Sequence, residues 1–204
     1  MLKAKTKKAI KIRAVNQSAE NKIKTVAGLT EALAYITNPA KIYEVSRINC
    51  SGSNSNTLEQ FRLLRLAFNQ NKGIIAHHFI QSFSPKDNIT PELANEIGMK
   101  MAEYFKGFQV VVATHIDKNH LHNHIVLNSV NFENGLKFHQ SKSDLQKIKK
   151  FSDQLCKEYG LTITEEKAKV DDIKINEYKS RQKGESWKYK LEKDIDLCMK
   201  KSNN

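Results

Sequence analysis

The sequence predicts an α+β fold: a central, mainly antiparallel sheet with helices packed on one face. Three observations carry that prediction. Apolar runs at residues 110–113 and 125–127, rich in β-branched side chains, flank a short polar interval, which reads as two adjacent buried strands joined by a turn. Several longer segments repeat apolar residues at helical spacing and begin at capping residues. After a short first helix the patterns run β, α, β, α, β, β, α, an order that suits a mixed or antiparallel sheet.

The elements follow in chain order. Residues 1–13 hold six basic residues and no acid, and read as a flexible basic arm or a poorly ordered strand. Residues 30–38 (T-E-A-L-A-Y-I-T-N) form a short helix, with Thr30 as N-cap and Asn38-Pro39 as the stop. Tyr35 sits late in it, just before the reversal that Pro39 forces. Residues 41–48 alternate like a strand, and residues 49–56 are a Ser/Asn/Gly loop. Thr57 opens a second helix with the capping-box pattern T-L-E-Q. Its expected buried face carries Phe61, Leu64 and Phe68, its opposite side Arg62 and Arg65, and Gly73 ends it.

Residues 74–83 read as a strand that sends His77 and His78 to opposite faces, so at most one can join a site on a given face. Thr90-Pro91-Glu92 starts the next helix with proline in its first turn. Leu93, Ala94, Ile97, Met101 and Tyr104 supply its buried stripe, and Gly107 closes it. The two central strands follow, then a tight turn at Asn134-Gly135. Residues 141–159 form a long helix with Leu145, Ile148 and Leu155 inward and Gly160 as its cap. Beyond residue 165 the chain is polar and charged, with Trp187 and Tyr189 as its few aromatics. We therefore expect one domain over residues 1–165 and a charged, helical or partly disordered extension over 166–204.

Composition excludes several classes. No run approaches the roughly 18 apolar residues of a membrane helix, and the basic N-terminus lacks the apolar core of a secretory signal. The cysteines, Cys50, Cys156 and Cys198, are scattered and odd in number, as reduced cytoplasmic thiols are. The net charge of +12 is unevenly spread. Residues 1–70 carry 12 Lys/Arg against 4 Asp/Glu, residues 71–139 carry 6 against 6, and residues 140–204 carry 16 against 12. All seven histidines fall in or at the edge of the neutral middle third. A basic surface flanking a neutral, histidine-rich centre suits a polyanion lying across a site.

That centre reads H-I-D-K-N-H-L-H-N-H-I-V-L-N from His115 to Asn128. His122 and His124, two apart on one strand, project from one face, and His115 closes the neighbouring strand where it can meet them. Three converging imidazoles suit a divalent metal. With no cysteine nearby, such a site keeps room for solvent or a substrate oxygen and reads as catalytic. His120 falls in the turn as a bystander. Asp117 is either a further ligand or a carboxylate that orients an imidazole.

The pattern H-x-D-x-x-x-L-H-x-H-I-V-x-N resembles the third motif of plasmid and conjugative-element relaxases, the relaxase/mobilisation nuclease family of the HUH endonuclease superfamily. A-L-A-Y-I-T-N-P-A-K (32–41) resembles the family's tyrosine motif. I-N-C-S (48–51), H-H-F-I-Q-S-F (77–83), T-P-E-L-A-N-E-I-G (90–98) and S-D-Q-L-C-K-E-Y-G-L (152–161) are similar to its Gram-positive mobilisation branch. The resemblance implies a cytoplasmic enzyme that nicks and rejoins single-stranded origin-of-transfer DNA through a 5′-phosphotyrosine. It makes Tyr35 the nucleophile, His115, His122 and His124 the ligands of Mg2+ or Mn2+, and Asp117 an orienting group or base. It also implies accessory DNA-binding and coupling proteins as partners. An ordinary phenol titrates at about 10, so its attack needs a base or a nearby cation. Lys41, Arg47, Arg62 and Arg65 are the candidates to guide the DNA backbone. Tyr43 is the rival nucleophile, although its alternating strand context favours packing. Other readings are a rolling-circle replication initiator, a non-catalytic metal- and DNA-binding module, and a metal phosphohydrolase that uses water.

Overall fold

A computed structural model of the chain describes residues 11–14 and 22–163. The expected extension over 166–204 lies outside the described residues. The elements are β1 (Lys11–Ala14), β2 (Lys22–Ile23), α1 (Val26–Ile36), β3 (Ile42–Ile48), α2 (Asn54–Ala67), β4 (Ala76–Ser82), α3 (Pro91–Glu103), β5 (Val110–His115), β6 (His122–Asn128) and α4 (Lys142–Glu158). They form one sheet in the order β1-β4-β6-β5-β3, with β2 also pairing β4, and every described ladder is antiparallel. The α+β class and the antiparallel sheet are as the sequence predicts.

The helices, however, cover both faces of the sheet and not one. Alternate residues of β4, β5 and β6 enter two separate cores. Val110, Val112, Ile125, Leu127 and Phe79 pack with α3 and α4 around Ile97, Met101, Ile148 and Leu155. Val111, Ala113, Val126 and Ala76 pack with α1 and α2 around Leu29, Leu33, Ile36 and Phe61. The cause is in the strands. β5 and β6 are buried at every position, so apolar side chains leave both faces and each face needs a cover.

Two helix starts lie upstream of the expected ones. α1 is capped by Thr25, whose side chain accepts from the Gly28 amide, while Thr30 donates to the Val26 carbonyl from inside the helix. α2 is capped by Ser53 in a reciprocal box with Asn56, which makes Thr57 an interior residue of the buried stripe Thr57, Phe61, Arg65. Arg65 therefore lies on the sheet side of α2, opposite to expectation, because a spacing of four keeps it on the face of Phe61. α3 and α4 start where the sequence predicts, and their N-caps are Thr90 and Ser141. Part of the basic arm, Lys11–Ala14, is an edge strand paired with β4.

The face under α3 holds a buried polar lattice centred on Asn123, the residue between the two histidines of β6. Its amide donates to the Ala94 carbonyl (2.7 Å) and to Gln81 (3.0 Å), and its Oδ1 accepts from the Thr114 hydroxyl (2.8 Å). Gly98 makes room for it, since a Cβ there would lie 2.5 Å from Asn123 Nδ2 and 3.0 Å from Val112 Cγ1. Helix propensity favours Gly98→Ala by about 1 kcal/mol. Overpacking a side chain pinned by three hydrogen bonds outweighs that. Gly98→Ala should destabilise the domain by about 1–3 kcal/mol, read as a lower urea midpoint, and a raised midpoint would contradict this packing.

His77 points into the same core, 1% exposed, with its ring 5.0 Å from that of Phe138. Burial pushes its pKa down to about 4, with Gln140 pulling the other way. In the unfolded chain an imidazole titrates at about 6.5. The stability this neutral ring contributes is thus complete above pH 6.5 and declines as pH falls towards 4. His77→Phe should reduce the loss of stability between pH 7 and 4.5 by roughly 2–3 kcal/mol. Urea titrations at the two pH values measure it, and equal losses in both proteins would refute the assignment.

Candidate metal and nucleophile site

Antiparallel register assembles the site. In the β5–β6 ladder His115 is the direct partner of His122, and Ala113 is the partner of His124. All three imidazoles therefore leave the face that α1 and α2 cover, and all are buried at 0–2% exposure. The same face changes character along its length. Val111, Ala113 and Val126 meet the helices at one end, and the imidazoles fill the other. Ring centroids are 4.4 Å apart for His115 and His124, 5.1 Å for His115 and His122, and 5.1 Å for His122 and His124.

Each ring has one nitrogen engaged and one free. His115 Nε2 lies 2.8 Å from the Ile36 carbonyl, His122 Nδ1 lies 3.3 Å from the His120 carbonyl, and His124 Nδ1 lies 2.9 Å from His78 Nε2. The other nitrogens, His115 Nδ1, His122 Nε2 and His124 Nε2, are buried and have no hydrogen-bond partner. One ligand atom from each ring falls within 4.8 Å of the others. Buried nitrogens left without partners cost on the order of 1–3 kcal/mol each. A divalent cation that takes all three lone pairs removes that cost, and imidazole is a suitable donor for it. The triad fits a metal.

Electrostatics keep the donors unprotonated. Burial, reinforced by the neighbouring imidazoles, drives His124 down to about 2, and burial drives His122 to about 4. Burial lowers His115 as well, against the pull of the Ile36 carbonyl and of Asp117. Asp117 Oδ1 stands 3.8 Å from both His115 Nδ1 and His122 Nε2. It thus faces the free nitrogens and not the engaged ones. The engaged nitrogens meet the Ile36 and His120 carbonyls and His78 instead.

Tyr35 stands over this cluster. Leu29, Leu33 and Ile36 bury one face of α1, which leaves Tyr35 in the last turn, 41% exposed. Its ring centroid is 5.4 Å from that of His124 and 5.9 Å from that of His115. The next residue, Ile36, supplies the carbonyl that holds His115, so one helix end sets both the tyrosine and a ligand. Asn54 of α2 fastens that end by donating to the Thr37 hydroxyl at 2.6 Å. Lys41 Nζ sits 4.2 Å from the centre of the Tyr35 ring, a cation–π contact. Tyr35, His78 and His124 line a groove of about 710 Å³ together with Ile23, Ala32, Ile80, Lys22, Lys24 and Glu31.

The remaining candidates separate. Tyr43 is turned to α3, where its hydroxyl donates to Glu92 at 2.7 Å, and that bond raises its pKa. Arg65 is 2% exposed with Nη1 at 3.4 Å from Asn128 Oδ1, so it braces α2 on β6 and is closed to a DNA backbone. Arg47 donates to Thr57 and Asn54, which ties β3 to α2. Arg62 is exposed and pairs with Glu59 at 2.6 Å. Of the four cations named from the sequence, Lys41 alone touches Tyr35. His120 contributes its carbonyl to the site through His122. Sequence reasoning missed His78, whose parity is visible in the sequence but whose face depends on register.

Fold and site together define a class: an antiparallel α+β domain with an imidazole metal site and an exposed tyrosine on one sheet face. Residues 35–161 match the relaxase family described as MobA/VirD2-like, nuclease domain, and the chain belongs to that family. It is 36% identical over 180 residues to protein rlx of Staphylococcus aureus, covering 87% of this chain and 53% of that protein. It is 31% identical over 150 residues to the group II intron-interrupted relaxase LtrB of Lactococcus lactis subsp. cremoris, covering 66% of this chain and 26% of that one. The chain thus spans about half the length of the rlx protein it matches. The fold is shared with the MobM relaxase domain bound to plasmid pMV158 oriT DNA, a manganese-bound crystal structure, at a TM-score of 0.56 and 12% identity. That match covers 81% of this chain and 93% of the MobM chain. A chain solved in work on vancomycin resistance transfer in Staphylococcus aureus matches at a TM-score of 0.51 and 11% identity, covering 78% of this chain and 97% of its own. No described helix is long and apolar enough to cross a membrane.

Proposed function

We propose that this chain nicks and rejoins single-stranded origin-of-transfer DNA, with residues 1–165 as the nuclease domain. The observation that carries the reading is Tyr35, an exposed phenol whose ring lies 5.4 Å from that of the metal-type ligand His124. In the reaction the Tyr35 oxygen bonds to the scissile phosphorus and the bond from phosphorus to the 3′ oxygen breaks. The departing 3′ oxygen takes up a proton to become a 3′-hydroxyl, and the phenol proton is lost to a base. A phosphotyrosine keeps the energy of the phosphodiester, so rejoining needs no further cofactor.

His115, His122 and His124 would hold Mg2+ or Mn2+, which would supply positive charge against the charge that builds on the phosphate. Asp117 moderates that charge from the side of the free nitrogens. Lys41 holds the Tyr35 ring from above and brings a cation to the nucleophile. The groove is mainly apolar, with Lys22 and Lys24 as well as Glu31 in its lining, and its apolar surface and two cations suit a single strand. The MobM domain of similar fold carries manganese and oriT DNA, which supports both the metal and the polyanion. We infer accessory DNA-binding and coupling proteins as partners and the cytoplasm as the place of action, since the proposed substrate is DNA.

The test is a denaturing gel. The protein is incubated with Mn2+ and single-stranded oligonucleotides tiled across the origin region of the element that encodes it. A protein–DNA adduct that survives denaturant, with a free 3′-hydroxyl on the released strand, is the expected result. A nicked strand without an adduct would point to water as nucleophile, and no reaction on any tile would sink the proposal.

A further inference from the structure

We propose that His78 is a positioning residue for the metal site, acting as the acceptor that fixes the tautomer of His124. The inference rests on the metal reading of the imidazole triad and not on the DNA chemistry. His78 lies on β4, two residues from Ile80, which is the ladder partner of His124. Its Nε2 is 2.9 Å from His124 Nδ1, so one of these two nitrogens must donate. The choice is decided at the far side of the His124 ring. His124 Nε2 is buried, lacks a hydrogen-bond partner and belongs to the set that converges on a single point with His115 and His122. A proton there would be a buried, unsatisfied N–H aimed at two other imidazoles, which is costly. The proton therefore sits on Nδ1, His124 donates to His78, and the Nε2 lone pair is free to bind.

The three ligands are thus held by different means. Backbone carbonyls accept from His115 and His122, and neither can be changed by substituting a side chain. The acceptor for His124 is a side chain, on a different strand and lining the groove beside Tyr35. Among the described residues, that makes His78 the one side chain at an engaged nitrogen of the triad, and so the contact open to mutation. Partners of this kind typically contribute about 10–100-fold in metal affinity.

Mn2+ binding to the whole chain, followed by calorimetry without DNA, tests the proposal. His78→Ala should weaken Mn2+ binding about 10–100-fold. His78→Gln, whose Oε1 can stand where Nε2 stood, should recover most of it. A purely space-filling role for His78 would give Gln no such advantage over a residue of similar bulk, such as His78→Leu. In the wild-type protein, long-range 1H–15N correlation spectra without metal should show the His124 proton on Nδ1, a readout that needs no variant to fold. Wild-type affinity in His78→Ala, equal affinities for the Gln and Leu variants, or an Nε2–H tautomer of His124 would each overturn the proposal. Loss of DNA nicking with intact His78-dependent Mn2+ binding would count against the nicking reaction and leave the role of His78 standing.

Discussion

Tyr35→Phe should abolish the covalent protein–DNA adduct and leave both the fold and Mn2+ binding unchanged. The substitution removes one oxygen from a ring that keeps its packing against His115 and His124 and its contact with Lys41. The residue is 41% exposed, so the cost to stability should stay within about 0.5 kcal/mol. Nicking should fall by roughly 1000-fold or more, because among the described residues no other tyrosine packs on the histidine cluster. The nearest tyrosine in sequence on β3, Tyr43, is bonded to Glu92 across the sheet. Quantifying adduct and nicked strand on the same gel checks the prediction. An adduct in the Phe variant at wild-type yield would move the nucleophile away from α1.

His122→Ala separates metal from fold. The variant should lose Mn2+ binding by more than about 100-fold and lose nicking with it. Its metal-free stability should stay near that of the wild type. His122 Nε2 is a buried atom without a partner, and burial holds the ring at a pKa of about 4, so removing it relieves one cost as it opens a small cavity. Mn2+ at 100 times its dissociation constant stabilises the wild type by about 2.7 kcal/mol, a rise in melting temperature of roughly 5–10 °C for a domain of this size. The variant should show no rise. Thermal melts of both proteins with Mn2+ and with chelator test this. A variant that melts far below chelated wild type would make His122 a structural residue.

Much of the site was legible in the sequence because period-2 alternation is a local property. His122 and His124 had to share a face, and a strand ending at His115 beside them had to bring the third imidazole across the pair. The helix starts at Thr90-Pro91 and Ser141 were legible for a similar reason, since caps act within one turn. Thr30 and Thr57 misled because each can cap a helix, and Thr25 and Ser53 upstream do so with a free amide in reach. Arg65 misled because a charged side chain on a helix is usually solvated, whereas here Asn128 meets it under α2.

The sequence by itself determined which residues alternate together, which segments bury apolar surface, and that three imidazoles and a tyrosine were available. Tertiary structure alone decided what those residues meet. Ladder register put His78 rather than His77 behind His124, and the two-sided burial of β5 and β6 drew helices to both faces. Packing of α1 on one of those faces then set Tyr35 above the cluster, with the Ile36 carbonyl on His115. The physical reason is range. Side-chain direction along a strand is dictated by neighbouring residues, but contacts between segments some eighty residues apart depend on how whole elements pack.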